Sequence, residues 1–461
     1  MVHLRFFIKR FIICLGLAFL LYNLKFRSLY FSIQSLLQTE TNLAESQTHL
    51  NPIGENSKEL VTKSESQPEV NQSCGFGRRA FIDHNAALDI LRRTAKEKCT
   101  VRNVALVKTH KCASDMMATI LMRHADTHSL EMLLPQKRAS VIGYFFKRNT
   151  FTDELPSRRR DNKFQLMTLH TFFNYPFWAL LMQPPTALVG MIRHPFDQFS
   201  SFFDFFHVGR SLQTAFPFLD SHSTFDFFLN YSTQLLDGNL RNRWRNLEIY
   251  KIGLRDAILF DYGAYFTTNR TQLAHEVVNN FSVIMHQEKF DESLVLLKTV
   301  LNWDYKDILY LRSNNNQAKL KTADENNKTS SEYQRRLKLH KKLSPHDYIL
   351  HELSLEKFNH QISLIENFDK QVQELKNVNN QIGKWCTEKL KQHPIFYDGQ
   401  FPKLVRFKKA VQLGQHLPAN VNFTTEFSHE LISINEEDCF KMQLSMLDFV
   451  EYHQKKYHRE I

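Results

Sequence analysis

The chain has 461 residues, and its 59 lysines and arginines outnumber its 48 aspartates and glutamates by 11. Hydrophobic residues make up 43% and charged residues 23% of the sequence, which is ordinary globular usage and excludes wholesale disorder. Glycine and proline, at 13 each, are too sparse for a collagen-like or linker-type chain. The moderate positive charge suits either an anionic ligand or a solvated basic surface.

An apolar segment near the N-terminus predicts a membrane anchor. Residues 11–24 are largely apolar and are flanked by basic residues, among them Arg10 and Lys25. As a helix, these 14 residues span roughly 21 Å, less than the ~30 Å core of a bilayer, but the apolar character extends to Phe31. A cleaved signal peptide is the alternative, although no small-residue cleavage site follows. Because basic residues precede the segment, we predict a cytoplasmic tail at 1–10, a signal-anchor transmembrane segment at 11–31 and a lumenal remainder.

The lumenal remainder is predicted to begin with a stalk. Residues 34–73 contain no aromatic side chain and are rich in polar residues, which is typical of a flexible tether. We therefore expect a stalk at 32–73 and one globular domain at 74–461. A lumenal location also agrees with the Asn-x-Ser/Thr glycosylation acceptors. These acceptors are Asn71, Asn230, Asn269, Asn280, Asn327 and Asn422.

The cysteines indicate one unpaired thiol. Beyond Cys14 in the predicted anchor, five cysteines remain, so at least one is free or bonded to another chain. Cys112 is the candidate for the unpaired thiol, and of the three pairings that the other four cysteines allow, sequence proximity favours Cys74 with Cys99 and Cys386 with Cys439. No CxxC pair and no Cys/His cluster at metal-ligand spacing occurs, so no metal site is predicted.

The next part of the chain alternates strand and helix patterns. Residues 104–107, 164–170 and 187–192 are apolar runs that predict buried strands. A helix with one apolar face is expected after the first run, and Pro195 can open a helix after the third. Strand, loop and helix repeated in this way predict an α/β fold with a parallel sheet flanked by helices, whose ligands bind at the carboxyl ends of the strands.

Composition predicts two exposed polar segments, and the spacing of apolar residues predicts a helical C-terminal part. The basic stretch 137–163 is expected to be an exposed loop, with contact to anionic headgroups or glycans as the alternative. Residues 313–336 are polar and should form an exposed excursion. Apolar residues recur near helical spacing in 344–368 and 371–385, which predicts two helices.

Three groups of residues could carry chemistry at the predicted sheet edge. The loop 108–114 joins a strand to a helix, where backbone amides and the charge of Lys111 can bind an anion, although no Walker A sequence occurs. Arg193 and Ser201 can converge on one phosphate across two helical turns. His170, at the end of a predicted strand, can act as a general base. Taken alone, each group is also compatible with a purely structural role.

Together these segments resemble the Golgi galactose 3-O-sulfotransferases, the family that includes galactosylceramide sulfotransferase. The resemblance is strongest over residues 99–312. It is carried by VKTHKCAS at 107–114, by Arg193-x-Pro195 with Ser201, and by QEKFDESLVLLK at 287–298 followed by DILY at 307–310. It implies a P-loop-like sulfotransferase fold in a Golgi membrane protein of single-pass type II topology, with a lumenal catalytic domain.

The resemblance also implies an activity and a set of roles. A sulfuryl group would pass from the co-substrate 3′-phosphoadenosine 5′-phosphosulfate to the 3-hydroxyl of a terminal galactose on a glycolipid or glycan, with no metal required. His170 would be the base, with His110 as second candidate, and Lys111 would neutralise charge on the breaking bond. The phosphosulfate and the 3′-phosphate would contact the remaining predicted site residues. These are Lys108, Thr109, Lys111, Ala113 and Ser114 for the phosphosulfate, and Arg193 and Ser201 for the 3′-phosphate.

The sequence departs from the family pattern within this loop. The family usually reads KTHKTASST, whereas this chain has Cys112, Asp115 and Met116 in place of a Thr, a Ser and a Thr. Three hydroxyl side chains are lost and a negative charge is added near the anion site; the structural alternative is that Asp115 merely stabilises the first helical turn. The alternative function is therefore a non-catalytic lumenal binding protein that keeps the fold. No nucleic-acid-binding module is found, and the sequence does not predict an oligomeric state.

Overall fold

The fold is known from a computed structural model of the chain. It describes residues 80–93, 99–135, 139, 141, 163–237, 253–311, 328–392 and 420–459. The predicted tail, anchor and stalk at 1–73 lie outside these residues, as do nearly all of the basic stretch 137–163 and the acceptors Asn71 and Asn327. No helix within the described ranges is both long and apolar enough to span a bilayer.

A five-stranded parallel sheet forms the centre of the described part. Strand β4 pairs with β2 on one side, and on the other side with β1 near its start and with β5 near its end, while β3 extends the sheet beyond β2. The strands are β1 (Phe81–Ile82), β2 (Asn103–Val107), β3 (Leu166–Met167), β4 (Thr186–Ile192) and β5 (Val283–His286). All of their residues are buried, which explains why they read as continuous apolar runs and not as alternating ones.

Helices cover the sheet, as the α/β prediction requires. Those that connect the strands are α1 (His84–Arg92), α2 (Ser114–Thr127), α3 (Tyr175–Leu181), α4 (Pro195–Phe205), α5 (Val208–Ala215), α6 (Thr224–Asp237), the short helix Ala257–Leu259 with the π-helical turn Phe260–Ala264, and α7 (Arg270–Asn280). After β5 come the 3₁₀ turn Gln287–Lys289, α8 (Phe290–Leu301), α9 (Tyr305–Ile308), α10 (Ser331–Leu343), α11 (Pro345–Ser363) and α12 (Phe368–Gln392). The chain then forms an antiparallel hairpin, β6 (Val421–Thr424) and β7 (Leu431–Ile434), followed by α13 (Glu436–Gln443) and α14 (Met446–Arg459).

The strand-to-helix units that position the edge of the sheet agree with the sequence. Helix α2 buries Met117, Ile120 and Leu121 on its inner face, and Pro195 stands in the first turn of α4. The second predicted strand, at 164–170, was too long, because regular pairing covers only Leu166–Met167, with isolated bridges at Phe164 and His170. The polar residue Gln165 explains part of the shorter pairing, because its side-chain oxygen accepts a hydrogen bond from the backbone amide of Glu131.

Phenylalanines build a second core beside the sheet. Helix α4 packs against α6 and α10 through a cluster that contains Phe196, Phe199, Phe203 and Phe228, all buried. The ring centroids of Phe199 and Phe228 are 5.8 Å apart. This cluster accounts for part of the heavy use of phenylalanine, and it fixes the helix that follows the carboxyl end of β4.

The C-terminal part is helical, as predicted, and is joined by a disulfide. The two expected helices correspond to α11 and α12, and Cys386 on α12 is bonded to Cys439 on α13. Cys99 is also disulfide-bonded, while its expected partner Cys74 lies outside the described residues. Cys112 is free and buried, which confirms the predicted unpaired thiol.

The prediction of an exposed polar segment at 313–336 was wrong at its C-terminal end. Residues 331–336 form the first turns of α10, and the side chain of Ser330 accepts from the backbone of Tyr333 to cap that helix. Arg336 forms an ion pair with Asp226 of α6, with 2.7 Å between Nη2 and Oδ2. This ion pair stabilises a helix in a polar segment that composition alone predicts to be a loop.

Candidate functional site

The candidate site lies where the parallel strands end. In the sheet Val107 pairs with Gly190, and Ile192 pairs with His286, so the residues after β2, β4 and β5 emerge at one edge. The loop after β2 leads directly into α2. Open α/β sheets bind ligands at this edge because the loops and the helix N-termini converge there.

The loop 108–113 has an unusual backbone. Lys111 and Ala113 adopt left-handed conformations, with φ of 61° and 56°, although neither is glycine. Ala113 precedes α2 without a side-chain cap. The Ser114 hydroxyl donates to the carbonyl of Thr109 at 2.6 Å, which closes the loop on itself. The backbone amides at the start of α2 can therefore bind a ligand or solvent. The hydroxyl proton of Ser114 is already hydrogen-bonded within the loop.

His110 is held by a buried carboxylate that the sequence did not predict. Its Nδ1 lies 2.8 Å from Oδ1 of Asp261, and its backbone amide donates to Oδ2 at 2.8 Å. Asp261 belongs to the π-helical turn, and both side chains are buried. The carboxylate stabilises the tautomer with the proton on Nδ1, so Nε2 is the basic nitrogen of the His110 ring.

His170 is engaged differently. Its ring stacks on that of His110 with 4.0 Å between centroids, and its Nε2 lies 2.7 Å from Nζ of Lys108. Burial, with help from His110 and Lys108, lowers the pKa of His170 far below its usual range, so the ring is neutral. A neutral imidazole that accepts from an ammonium at Nε2 carries its proton on Nδ1.

Lys108 forms an ion pair with Asp115. Nζ of Lys108 lies 2.5 Å from Oδ1 of Asp115, and the lysine side chain is 2% exposed while that of the aspartate is 77% exposed. Burial lowers the pKa of Lys108, and the charge of Asp115 opposes that effect. Asp115 is thus more than a carboxylate of the first helical turn, because it compensates a buried ammonium group.

Arg193 and Ser201 lie on the adjacent segment. Arg193 directly follows β4, and within the described ranges its guanidinium forms no ion pair, which leaves its charge for a ligand. Burial raises the pKa of the Cys112 thiol well above its usual value, and the positive charge of Arg193 opposes this effect. Helix α4 touches the loop directly, since the buried Gln198 side chain donates to the carbonyl of His110 at 3.0 Å. The structure therefore brings the two predicted anion-binding segments together.

Comparison with known proteins agrees with this arrangement. The sequence model of the galactose-3-O-sulfotransferase family matches residues 12–426 of the chain. The chain belongs to the galactose-3-O-sulfotransferase family. That match covers all three segments on which the resemblance rested.

Individual relatives match a smaller part of the chain. It is 30% identical over 218 residues to a galactosylceramide sulfotransferase of Mus musculus, an alignment that covers 46% of this chain and 48% of that protein. It is 30% identical over 231 residues to galactose-3-O-sulfotransferase 2 of Homo sapiens, covering 48% and 52%. With galactose-3-O-sulfotransferase 3 of Bos taurus the identity is 28% over 232 residues, covering 48% and 50%. The chain thus spans about half the length of these relatives, and no solved structure matches it.

The structure gives the residues of the family loop different surroundings. Lys111, expected to be the central cation, has its Nζ 4.2 Å from the ring centroid of the exposed Phe205. Lys108 instead contacts His170. Thr109 is fully buried, and its backbone amide donates to Val107 within the loop. Functional roles for these residues stay predictions, because geometry alone does not test them.

Sequence analysis missed Asp261 and Gln198. Asp261 is the one charged residue in the apolar run 257–265, whereas Gln198 lies in 195–206, where phenylalanines alternate with several polar residues. A buried carboxylate or amide needs partners, so an isolated acid in an apolar run is the signal that could have found Asp261.

A further group of imidazoles lies beside Arg193. His286 ends β5, His351 lies on α11, and the ring centroids of these two residues are 5.5 Å apart. Burial lowers the pKa of His286 to about 4, so its ring is neutral at neutral pH. The backbone amide of His194 donates to Oε1 of Glu288 at 2.8 Å, which ties this group to the segment after β4.

Proposed function

We propose that the chain transfers a sulfuryl group from 3′-phosphoadenosine 5′-phosphosulfate to the 3-hydroxyl of a terminal galactose on a glycolipid, such as galactosylceramide, or on a glycoprotein glycan. The observation that carries this proposal is the buried pair formed by His110, in the loop between β2 and α2, and Asp261 of the π-helical turn. Membership of the galactose-3-O-sulfotransferase family and the names of the relatives support the substrate class.

The donor would bind along the edge of the sheet. The loop 108–114 acts as a P-loop-like cradle for the phosphosulfate, with its left-handed residues and the uncapped start of α2 turning backbone amides towards the anion. Lys111 neutralises charge on the oxygen that bridges sulfur and phosphorus. Arg193 and Ser201 bind the 3′-phosphate, a role favoured by the guanidinium of Arg193, which forms no ion pair with another described residue.

His110 serves as the general base in this proposal. The galactose oxygen attacks sulfur, the bond from sulfur to the 5′-phosphate oxygen breaks, and 3′-phosphoadenosine 5′-phosphate leaves. The hydroxyl proton passes to Nε2 of His110, and Asp261 stabilises the imidazolium that forms. His170 was the first candidate from sequence. Its Nε2 already accepts from Lys108, so we assign it to hold the Lys108 ammonium beside the reacting groups.

We place this activity in the lumen of the Golgi apparatus, on a chain anchored by residues 11–31. The support is the charge distribution around that segment and the glycosylation acceptors. Among the described acceptors, Asn230, Asn269 and Asn422 are exposed, as glycosylation requires.

A second function is favoured by one contact. The ion pair between Asp115 and Lys108 places a carboxylate at the mouth of the phosphosulfate loop, where it competes with an anionic donor. A non-catalytic lumenal binding protein with this fold is therefore the alternative.

The test is a transfer assay on the full-length chain in detergent. Sulfur-labelled donor is incubated with galactosylceramide, lactosylceramide and β-galactosyl oligosaccharides, and binding of 3′-phosphoadenosine 5′-phosphate is measured in parallel. Lys111→Ala and His110→Ala probe the two central roles, and His222→Ala, an exposed histidine on a remote turn, is the matched control.

Three outcomes separate the hypotheses. Label on galactose that is lost in Lys111→Ala and His110→Ala but kept in His222→Ala supports the transferase. Nucleotide binding without transfer to any acceptor supports the binding protein. Neither binding nor transfer by a folded chain contradicts both functions.

A further inference from the structure

A cluster of three metal-binding side chains lies apart from the proposed catalytic pair. His286 ends β5, Glu288 lies in the 3₁₀ turn that follows, and His351 lies on α11. One nitrogen or oxygen atom from each of these side chains lies within 4.8 Å of the others. Two imidazoles and one carboxylate are a ligand set that Zn²⁺ uses in proteins, with water in the fourth position.

His286 is oriented as a metal ligand would be. The residue is 2% exposed, and its Nε2 is buried with no hydrogen-bond partner. Its ring also forms a hydrogen bond with the backbone of Ser354. Metal-binding histidines commonly donate one ring N–H to a carbonyl and ligate through the other nitrogen. A buried nitrogen without a partner costs free energy unless something occupies it.

In each of the other clusters of this kind in the described residues, a hydrogen bond already joins a histidine to the carboxylate. In one, Nδ1 of His110 contacts Asp261 at 2.8 Å. In another, Nδ1 of His124 and Nε2 of His128 contact Oδ1 of Asp307 at 2.8 and 3.0 Å. Within the described contacts, no hydrogen bond joins Glu288 to either imidazole of its cluster. Of the three clusters, the His286 cluster is therefore the one in which no described hydrogen bond joins the carboxylate to an imidazole.

We propose that His286, Glu288 and His351 bind one divalent transition-metal ion of the Zn²⁺ class. Tetrahedral ligands about 2.0 Å from Zn²⁺ are roughly 3.3 Å apart, so the three side chains must close slightly on binding. Glu288 is exposed and can move, while His286 is fixed in the core. Sequence analysis predicted no metal because it looked for closely spaced Cys and His motifs, whereas these ligands come from three separate elements.

The ion would also rigidify the segment that carries Arg193. Glu288 already accepts the backbone amide of His194 through Oε1, and a carboxylate can keep that bond while its other oxygen binds metal. The site does not depend on sulfuryl transfer, because its ligands are distinct from the residues assigned to the donor and the base. A non-catalytic chain would bind the ion equally well.

The test measures Zn²⁺ binding by the full-length chain in detergent. The protein is stripped with chelator, titrated with Zn²⁺ against a chromophoric competitor, and analysed for metal content. Co²⁺ absorption then reports the ligand field. The variants are His351→Ala, Glu288→Gln and His286→Leu. Matched controls are His360→Ala, an exposed histidine on the same helix as His351, and His124→Phe in a different cluster.

We expect one Zn²⁺ per chain and a tetrahedral Co²⁺ spectrum. Each ligand variant should weaken binding by at least about tenfold, since even outer-shell changes cost about 10–100-fold. The two controls should bind as the unsubstituted chain does. Unfolding midpoints identify any variant that fails to fold, and the exposed Glu288→Gln decides in that case. Absence of Zn²⁺ binding, undiminished binding by folded His351→Ala and Glu288→Gln, or loss of binding in His124→Phe instead would overturn the proposal.

Discussion

His110 and His170 stack with 4.0 Å between ring centroids, yet their hydrogen-bond partners give them different chemistry. Asp261 holds the proton on Nδ1 of His110, whereas the Lys108 ammonium occupies Nε2 of His170. Residue type and spacing place both imidazoles at the strand ends but do not distinguish them. The distinction depends on side chains from distant parts of the sequence, which only the folded chain brings together.

Asp115 provides a test at the residue scale. In Asp115→Ser the carboxylate that pairs with Lys108 is lost, and one negative charge is removed from the anion site. We expect 3′-phosphoadenosine 5′-phosphate to bind roughly fivefold more tightly, the effect of one partly exposed charge pair. Isothermal titration calorimetry measures the change.

The control for this substitution is Asp369→Ser. Asp369 is also an exposed acid in the first turn of a helix, α12, so it matches the local context without facing the loop. Equal tightening in both variants would show that net charge, and not the contact with Lys108, controls the affinity.

At the scale of elements, the buried strands could be predicted because each is a continuous apolar run. Strands β2 and β4 were found nearly to the residue, and Pro195 marked the start of α4. The π-helical turn that carries Asp261 has no sequence signature of its own. The start of α10 is held by an ion pair between Arg336 and Asp226, a tertiary contact that composition cannot show.

The disulfide between α12 and α13 should contribute strongly to the stability of the C-terminal part. Replacing Cys386 and Cys439 together by alanine removes a cross-link between residues 53 positions apart, which typically costs about 2–5 kcal/mol. Chemical denaturation of the full-length chain measures the loss. Cys112→Ala, at a free buried cysteine, is the control and should cost about 1 kcal/mol, the transfer free energy of a group of that size. Equal losses would contradict a structural role for the bond.

His340 on α10 should make stability sensitive to acid. Burial lowers its pKa to about 3, aided by His194, and its ring contacts Tyr348 of α11 and Ser344. The unfolded chain protonates this histidine near pH 6.5, whereas the folded chain does so only near pH 3. Protonation therefore favours the unfolded chain, and the free energy of unfolding falls as the pH falls from 6.5 towards 3.

The corresponding prediction compares pH 7 with pH 5. In His340→Gln, the fall in unfolding free energy between these two values should be smaller than in the unsubstituted chain by roughly 2 kcal/mol, as measured by urea denaturation. His360→Gln changes an exposed histidine and should leave the fall unchanged. An unchanged fall in His340→Gln would mean that His340 is protonated in the folded chain.

For the whole molecule, the family and the α/β architecture could both be predicted from sequence. The parallel sheet follows from alternating strand and helix patterns, and the family from three short segments that the family match covers. The acceptor could not be predicted, because acceptor recognition depends on loop shapes that local sequence does not encode. The relatives named galactosylceramide sulfotransferase and galactose-3-O-sulfotransferase 2 match this chain at similar identity.

The measurement that tests the central claim most directly is single-turnover transfer from prebound labelled donor to a β-galactoside. If His110 is the base and Asp261 orients it, Asp261→Asn should slow transfer by roughly 100-fold or more while donor-product affinity stays within about twofold. Asp291→Asn, which alters another buried carboxylate, one that accepts from Tyr310, should transfer at the unsubstituted rate. Transfer by Asp261→Asn at the unsubstituted rate would contradict the account.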